Sequence, residues 1–227
     1  MNIIYFILRI MTRLSRCFWK IFFYGLQKPF YNVSYNCGNK FSCRGLLINS
    51  SITLAGEGNT IIIKEGVILK NVKINVSGQN NTLVINENVR FYDKSLIVIE
   101  NENNSLVIGK YTDFQGCSFI LREYDTKVTV GEDCMFSSNI FVRNGDSHTI
   151  YDTYGVKINY AKDVIIKDKV WVGYGATILK GCVIGENSII GTQSVVAGLK
   201  VPNGSIVAGN PARILRQGVY WGRERIK

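Results

Sequence analysis

The sequence predicts an all-β solenoid, and two repeat periods carry that prediction. From Ile166 onward an Ile or Val recurs every sixth residue, at Ile166, Val172, Ile178, Ile184, Ile190 and Val196. Two residues before each next aliphatic stands Val170, Ala176, Cys182, Ser188 or Ser194, mostly small. Side chains two apart in a strand share a face, so both point inward. The residues between them, such as Gly173-Tyr174-Gly175 and Gly185-Glu186-Asn187, have turn chemistry. Each hexad is therefore a short strand and a turn. Three hexads close a triangular coil, and stacked coils bury one core. Upstream the pattern is stretched. The runs "TIII" at 60–63, "TLVI" at 82–85, "SLVI" at 105–108 and "KVTV" at 127–130 recur every 22, 23 and 22 residues. The six-residue step survives inside them, as Ile63–Leu69, Ile85–Phe91–Ile97, Ile108–Phe114–Ile120 and Val130–Phe136–Val142. Each such coil is three hexads plus a corner excursion rich in Asn and Glu.

The elements follow in order. Residues 1–30 read as a basic amphipathic helix. Arg9, Arg13, Arg16 and Lys20 mark one face, with Ile3, Phe6, Ile7, Ile10, Leu14, Phe18 and Ile21 over the rest. The absence of a small-residue cleavage site opposes a signal peptide, and the four charges oppose a membrane span. Such a helix either lies on an anionic bilayer surface or packs on its own domain or a partner subunit. Pro29 ends it. Residues 31–142 are the coils of 22–23-residue period. The coil pattern breaks after Val142 and resumes at Val164, so 143–163 is a long excursion, read as the active-site loop. Residues 164–201 are the regular hexad coils, and 202–227 a cap. Asn210-Pro211 has helix-start chemistry, with Asn at N-cap and Pro at N1, and predicts a short C-terminal helix over one end. Val183, Ile189 and Val195 face outward in the hexad scheme yet are apolar, which fits burial between subunits.

Composition bounds the function. The chain is 46% hydrophobic with three prolines, so it is not a disordered tail. A net charge of +10 points to an anionic partner. No recognised nucleic-acid module surrounds that charge, which argues against nucleic acid. Six cysteines without a C-x-x-C read as small thiols of a reducing compartment. Sequons such as Asn75-Val76-Ser77 read as turn asparagines. The chain holds one histidine, His148, in the loop, and this opposes a three-histidine zinc site. No other metal-ligand cluster is visible, so no metal is expected. A neutral imidazole on a loop can serve as a general base.

The stretch "VIIKDKVWVGYGATILKGCVIGENSIIGTQSVVAGLKVPNGSIVAGNPARILR", 164–216, resembles the C-terminal part of hexapeptide-repeat acetyltransferases. The V-W-V-G, G-x-x-S-V-V and G-N-P-A-R motifs place it nearest the maltose, galactoside and bacterial polysaccharide O-acetyltransferases, with a match over roughly 108–216. The resemblance implies a left-handed parallel β-helix. It also implies a homotrimer with acetyl-CoA in the groove between subunits. On that resemblance His148 is the general base and the Tyr174 backbone N–H the oxyanion donor. Trp171, Thr192 and Lys200 line the cofactor, and Arg213 and Arg216 meet its 3′-phosphate. Gln115 stands where sugar acetyltransferases carry an acceptor-touching Asn. The segment Val196-Ala197-Gly198-Leu199-Lys200 is one residue longer than the family's V-T-K-D. Asp146 either holds the imidazole in one tautomer or is a turn residue.

The expected function is an acetyl-CoA-dependent O-acetyltransferase acting on a hydroxyl of a surface-polysaccharide sugar or its precursor. It would work in the cytoplasm, free or against the inner face of the membrane. Two alternatives stand beside it. One is N-acetylation of a nucleotide-linked amino sugar, against which the missing G-x-G-x-x-G counts. The other is a non-catalytic β-helix scaffold.

Overall fold

The computed structural model describes residues 31–224. The amphipathic helix expected over 1–30 lies outside them. Every element among the described residues is a strand. The chain visits three sheets in fixed rotation. Ser50–Leu54 lies in the first, Thr60–Ile63 in the second, Ile68–Lys70 in the third, and Val72–Val76 is back in the first. Among the described residues the sheets hold eight, eight and nine strands.

Register converts the sequence repeat into columns of like residues. Ile61 stands beside Leu83, Leu83 beside Leu106, Leu106 beside Val128, and Val128 beside Val164 across the loop. All five are buried. In the third sheet Phe91, Phe114 and Phe136 stack, with ring centroids 4.3 and 4.6 Å apart. Beyond the loop both inward positions of each hexad are buried, the small residue as fully as the aliphatic. The inward Ser188 and Ser194 are satisfied: the Ser188 hydroxyl donates to the Pro202 carbonyl, and the Ser194 hydroxyl accepts the Gly209 N–H.

The longer coils carry a second organising device. Asn59, Asn81 and Asn104 stack at the corner between the first and second sheets, all buried. Each side-chain oxygen accepts the N–H of the next rung, at 2.8 Å from Asn81 to Asn59 and 2.8 Å from Asn104 to Asn81. Each amide nitrogen donates to two backbone carbonyls; Asn81 reaches those of Ser77 and Asn101. The excursion therefore brings its own hydrogen bonds into a buried corner. The ladder ends at Thr126 and Asn144, the residue from which the long loop departs.

Two expectations are corrected. The six-residue step puts Ile120 in the core, but Phe119 and Leu121 point inward there and Ile120 faces outward. The corner Gln115-Gly116 is one residue shorter than Tyr92-Asp93-Lys94 one coil earlier, and a one-residue change exchanges the faces of a strand. Nor does the C-terminal helix occur among the described residues: Ser205–Gly209 turns back into Ala212–Gln217 as an antiparallel pair. The last coil leaves an open edge of backbone N–H and C=O groups, which a returning strand pairs and a helix would leave bare. Asn210-Pro211 serves that turn, with Gly209 at φ 106°.

Candidate active site

The solenoid's corners sort the expected site residues into two groups. Gln115, Tyr174 and Thr192 sit in turns from the third to the first sheet. There Gly173 packs so tightly that a Cβ would lie 2.8 Å from the Ile190 oxygen and the Thr192 nitrogen. The Gln193 N–H donates to the Tyr174 carbonyl at 2.8 Å, and the Asn139 amide to the Tyr174 hydroxyl at 2.7 Å. The Tyr174 N–H has no acceptor among the described residues. It is a free donor at an exposed turn.

His148, Asp146 and Lys200 belong to the other group, at the corner between the first and second sheets. A groove of about 630 Å³ runs there, lined by Asp146, Lys162, Asp163, Leu179, Lys180, Gly181, Ala197, Gly198 and Lys200. The loop is shaped by two polar residues. Asp152 accepts the N–H groups of Tyr154 and Val156, each at 2.9 Å, and closes the tip. Asn159, buried, donates to the His148 carbonyl at 2.7 Å and to the Asp146 carboxylate at 2.8 Å, and accepts the Ile150 N–H at 2.7 Å. The backbone of His148 is thus pinned while its side chain is exposed.

Asp146 is engaged elsewhere. Its carboxylate pairs with the Lys180 ammonium and its N–H donates to Glu123 at 2.9 Å. Partial burial pushes the Asp146 carboxyl up, but the bonds from Lys180 and Asn159 outweigh it, and the carboxyl sits below its ordinary value. No hydrogen bond joins the His148 ring to a described residue, so Asp146 holds the loop and not the imidazole.

Arg213 and Arg216 are three apart, which in a regular strand sets them on opposite faces. A register shift between Ile206 and Val207 changes this. Arg213 stands opposite Ala208 and Arg216 opposite Ile206, the outward positions on either side of the buried Val207. The bulge thereby puts both guanidinium groups on one outer face. A pair of cations so placed fits a phosphate.

Sequence reasoning missed the segment after the last strand. The Val219 N–H donates to the Gly204 carbonyl at 3.0 Å, and the Trp221 indole N–H to the Lys169 carbonyl at 2.6 Å. Arg223 then bonds Asp133 at 2.7 Å, Asp113 at 2.6 Å and the carbonyls of Tyr111 and Cys134. The tail runs back down the corner between the second and third sheets and sets Trp221 6.1 Å from Trp171, ring centroid to centroid. The partners of Arg223 lie 90 and 110 residues away, and no local pattern announces them.

Comparison with known proteins agrees with this architecture. The family model "Bacterial transferase hexapeptide (six repeats)" matches residues 163–198. The crystal structure of the polySia-specific acetyltransferase NeuO is similar with a TM-score of 0.78 and 33% identity, over 86% of this chain and 89% of that one. That of the polysialic acid O-acetyltransferase OatWY is similar with a TM-score of 0.78 and 29% identity, over 87% of this chain and 93% of that one. A polysialic acid O-acetyltransferase of Escherichia coli O1:K1 / APEC is 34% identical over 139 residues, 60% of this chain and 45% of the relative. The chain spans about half the length of the curated relatives it matches. Its parallel solenoid, its hexads and the similarity to the NeuO structure over most of both chains make it a member of the hexapeptide-repeat transferase family, with the left-handed β-helix of that family's acetyltransferases.

Proposed function

We propose that the protein is an acetyl-CoA-dependent O-acetyltransferase acting on a sugar hydroxyl of a bacterial surface polysaccharide or its precursor. The observation that carries this is the match to a polySia-specific acetyltransferase over 86% of the chain. Several features of the chain support it. His148 offers an imidazole, a side chain suited to general-base work, on a loop whose backbone is pinned and whose ring is free to meet an acceptor hydroxyl. The Tyr174 N–H is an unspent donor for the thioester oxygen as it gains negative charge, an effect worth roughly 10²–10³ in rate. Arg213 and Arg216 offer a paired cationic face to the cofactor's phosphate. On the family resemblance we assign Trp171, Thr192 and Lys200 to the cofactor and Gln115 to the acceptor.

Within one chain these groups stand at different corners of the solenoid. A face of the solenoid, about six residues or roughly 20 Å of extended chain, separates the corner of His148 from the corner of Tyr174. Reacting groups must come within about 3.5 Å. A homotrimer resolves this by setting one subunit's loop against the next subunit's turns. The outward column Ile62, Val84, Val107, Thr129, Ile165 and Val183 on the second sheet, in continuous register, gives such an assembly a contact surface. We place the enzyme in the cytoplasm, where acetyl-CoA is made, with residues 1–30 available to meet the inner leaflet. Among the described residues no helix is long and apolar enough to cross a membrane.

Acetyl transfer to capsule and O-antigen oligosaccharides tests the reading. His148→Ala should lower kcat by about 10²–10⁴ without moving acetyl-CoA binding, and Arg213→Ala/Arg216→Ala should weaken that binding. Unchanged transfer by His148→Ala to every acceptor would falsify the assignment of the base.

A further inference from the structure

The tail after the last strand is anchored at Val219, at Trp221 and at Arg223, every second residue, yet none of its residues is buried. What it covers is Trp171. On the outer face of the third sheet Asp113, Met135, Trp171, Ile189 and Ile206 follow one another in register. Half-buried Met135 and Ile189 thus flank Trp171 on the neighbouring strands. Along its own strand the next position on that face is Gly173, which offers no side chain. Trp221 stands toward the other end, bonded to the Lys169 carbonyl, with its ring plane tilted 46° from that of Trp171. The ring separation of 6.1 Å lies within the range of interacting aromatic pairs. Trp171 still exposes 38% of its surface, and its indole N–H has no acceptor among the described residues. Phe136 and Val172, the inward residues of the same strands, belong to the core on the opposite side of the sheet. The tail therefore orders an exposed indole and not the interior.

We propose that Trp221 is a positioning residue: the tail sets it against Trp171 and so fixes the Trp171 indole in the orientation that meets acetyl-CoA. This rests on the acetyltransferase reading, in which Trp171 contacts the cofactor, and adds the residue that holds that contact. An exposed indole with a bare glycine on one side has rotamers to lose when a ligand arrives. A neighbour that removes them beforehand leaves more of the contact's energy to binding. Arg223 serves Trp221 in turn, because its bonds to Asp113 and Asp133 hold the chain two residues further on.

Calorimetric titration of the intact protein with acetyl-CoA tests this, on the wild type, Trp221→Ala, Trp221→Phe, Trp171→Ala and the double variant Trp171→Ala/Trp221→Ala. Trp221→Ala should weaken binding about twofold to tenfold, the worth of one aromatic pair. Trp221→Phe keeps a ring against Trp171 without the indole bond and should recover most of that loss. Trp171→Ala should weaken binding at least as much as Trp221→Ala, and removing Trp221 as well should add nothing, because its effect passes through Trp171. Three results overturn the proposal while the transferase reading stands. Trp221→Ala binds as tightly as the wild type. Trp221→Phe stays as weak as Trp221→Ala. The loss on removing Trp221 is the same with and without Trp171, so that Trp221 acts by another route. Wild-type affinity in Trp171→Ala overturns it too, since the contact to be held would not exist. Failure of acetyl-CoA to bind the wild type sinks the transferase reading, and the proposal with it.

Discussion

Between residues 50 and 142 the first two sheets are built from strands of four or five residues, and between 164 and 201 every strand has two or three. The long coils add an asparagine ladder at one corner and a phenylalanine stack on one sheet. The short coils keep only an aliphatic and a small residue per face, and their turns carry free donors and cations. Strand length and buried polar order thus concentrate in one half, while most of the groups we propose for the site lie on the lean half and on the loop that joins them. Exposed turns on a rigid stack suit a site, because their backbone is fixed by neighbours and their outer groups are not yet bonded.

Cutting the phenylalanine stack should have the largest effect on stability. Phe114 is buried between Phe91 and Phe136, and Phe119 meets it edge-on at 5.6 Å. Phe114→Ala should cost about 3–5 kcal/mol in denaturant unfolding. Because the residues proposed as base, oxyanion donor and cofactor contacts lie on the loop and in the other half, kcat/KM for acetyl-CoA at low temperature should stay near the wild-type value. A variant that loses activity in step with stability would break the division of labour between the halves.

The asparagine ladder ranks next. Asn81→Ala strips the Asn104 N–H of its acceptor and the Ser77 and Asn101 carbonyls of a donor, all in a buried corner. A loss of about 3 kcal/mol is expected. Asn81→Asp should cost at least as much, since a carboxylate oxygen would then face two carbonyls. Equilibrium unfolding of both variants checks this. A cost below that of an ordinary surface substitution would mean that water replaces the ladder.

Much of this organisation was legible in the sequence. Ile166 through Val196 spell the hexads, and their burial follows from a strand's two-residue alternation. The loop was legible as the gap between Val142 and Val164. Legibility ended where one residue type serves two structures. Asn210-Pro211 starts helices and also makes turns, and the open edge of the last coil decided between them. The corner asparagines look like any turn, and only stacking shows that Asn59, Asn81 and Asn104 face inward. At Ile120 a corner one residue shorter shifted the phase, which periodicity alone cannot register. Arg223 takes its meaning from partners far along the chain.

The tail sharpens the comparison because it ties the two halves together. Arg223 reaches Asp113 and Asp133 in the longer coils while Trp221 rests on Trp171 in the short ones. The ion pairs are partly exposed, so Arg223→Ala should cost only about 1–2 kcal/mol. It should also free Trp221, and acrylamide quenching of tryptophan fluorescence should rise. Unchanged quenching would mean that the indole bond to Lys169 holds the tail alone.

The smallest expected effect lies in the loop. The Asp146 carboxyl titrates lower in the folded protein than in the unfolded chain, where about pH 4 is ordinary. Ionised Asp146 therefore stabilises the fold above that pH, and the contribution fades as pH falls through the lower, folded value. Asp146→Asn removes the titration but keeps an oxygen toward Lys180. Between pH 5 and pH 3 the wild type should lose more stability than Asp146→Asn, by a margin kept small because the pair is partly exposed. Urea unfolding of the two proteins at both pH values measures that margin. Equal losses would show that Asn159 holds the loop without the ion pair, and the pinning of His148 would then rest on one amide.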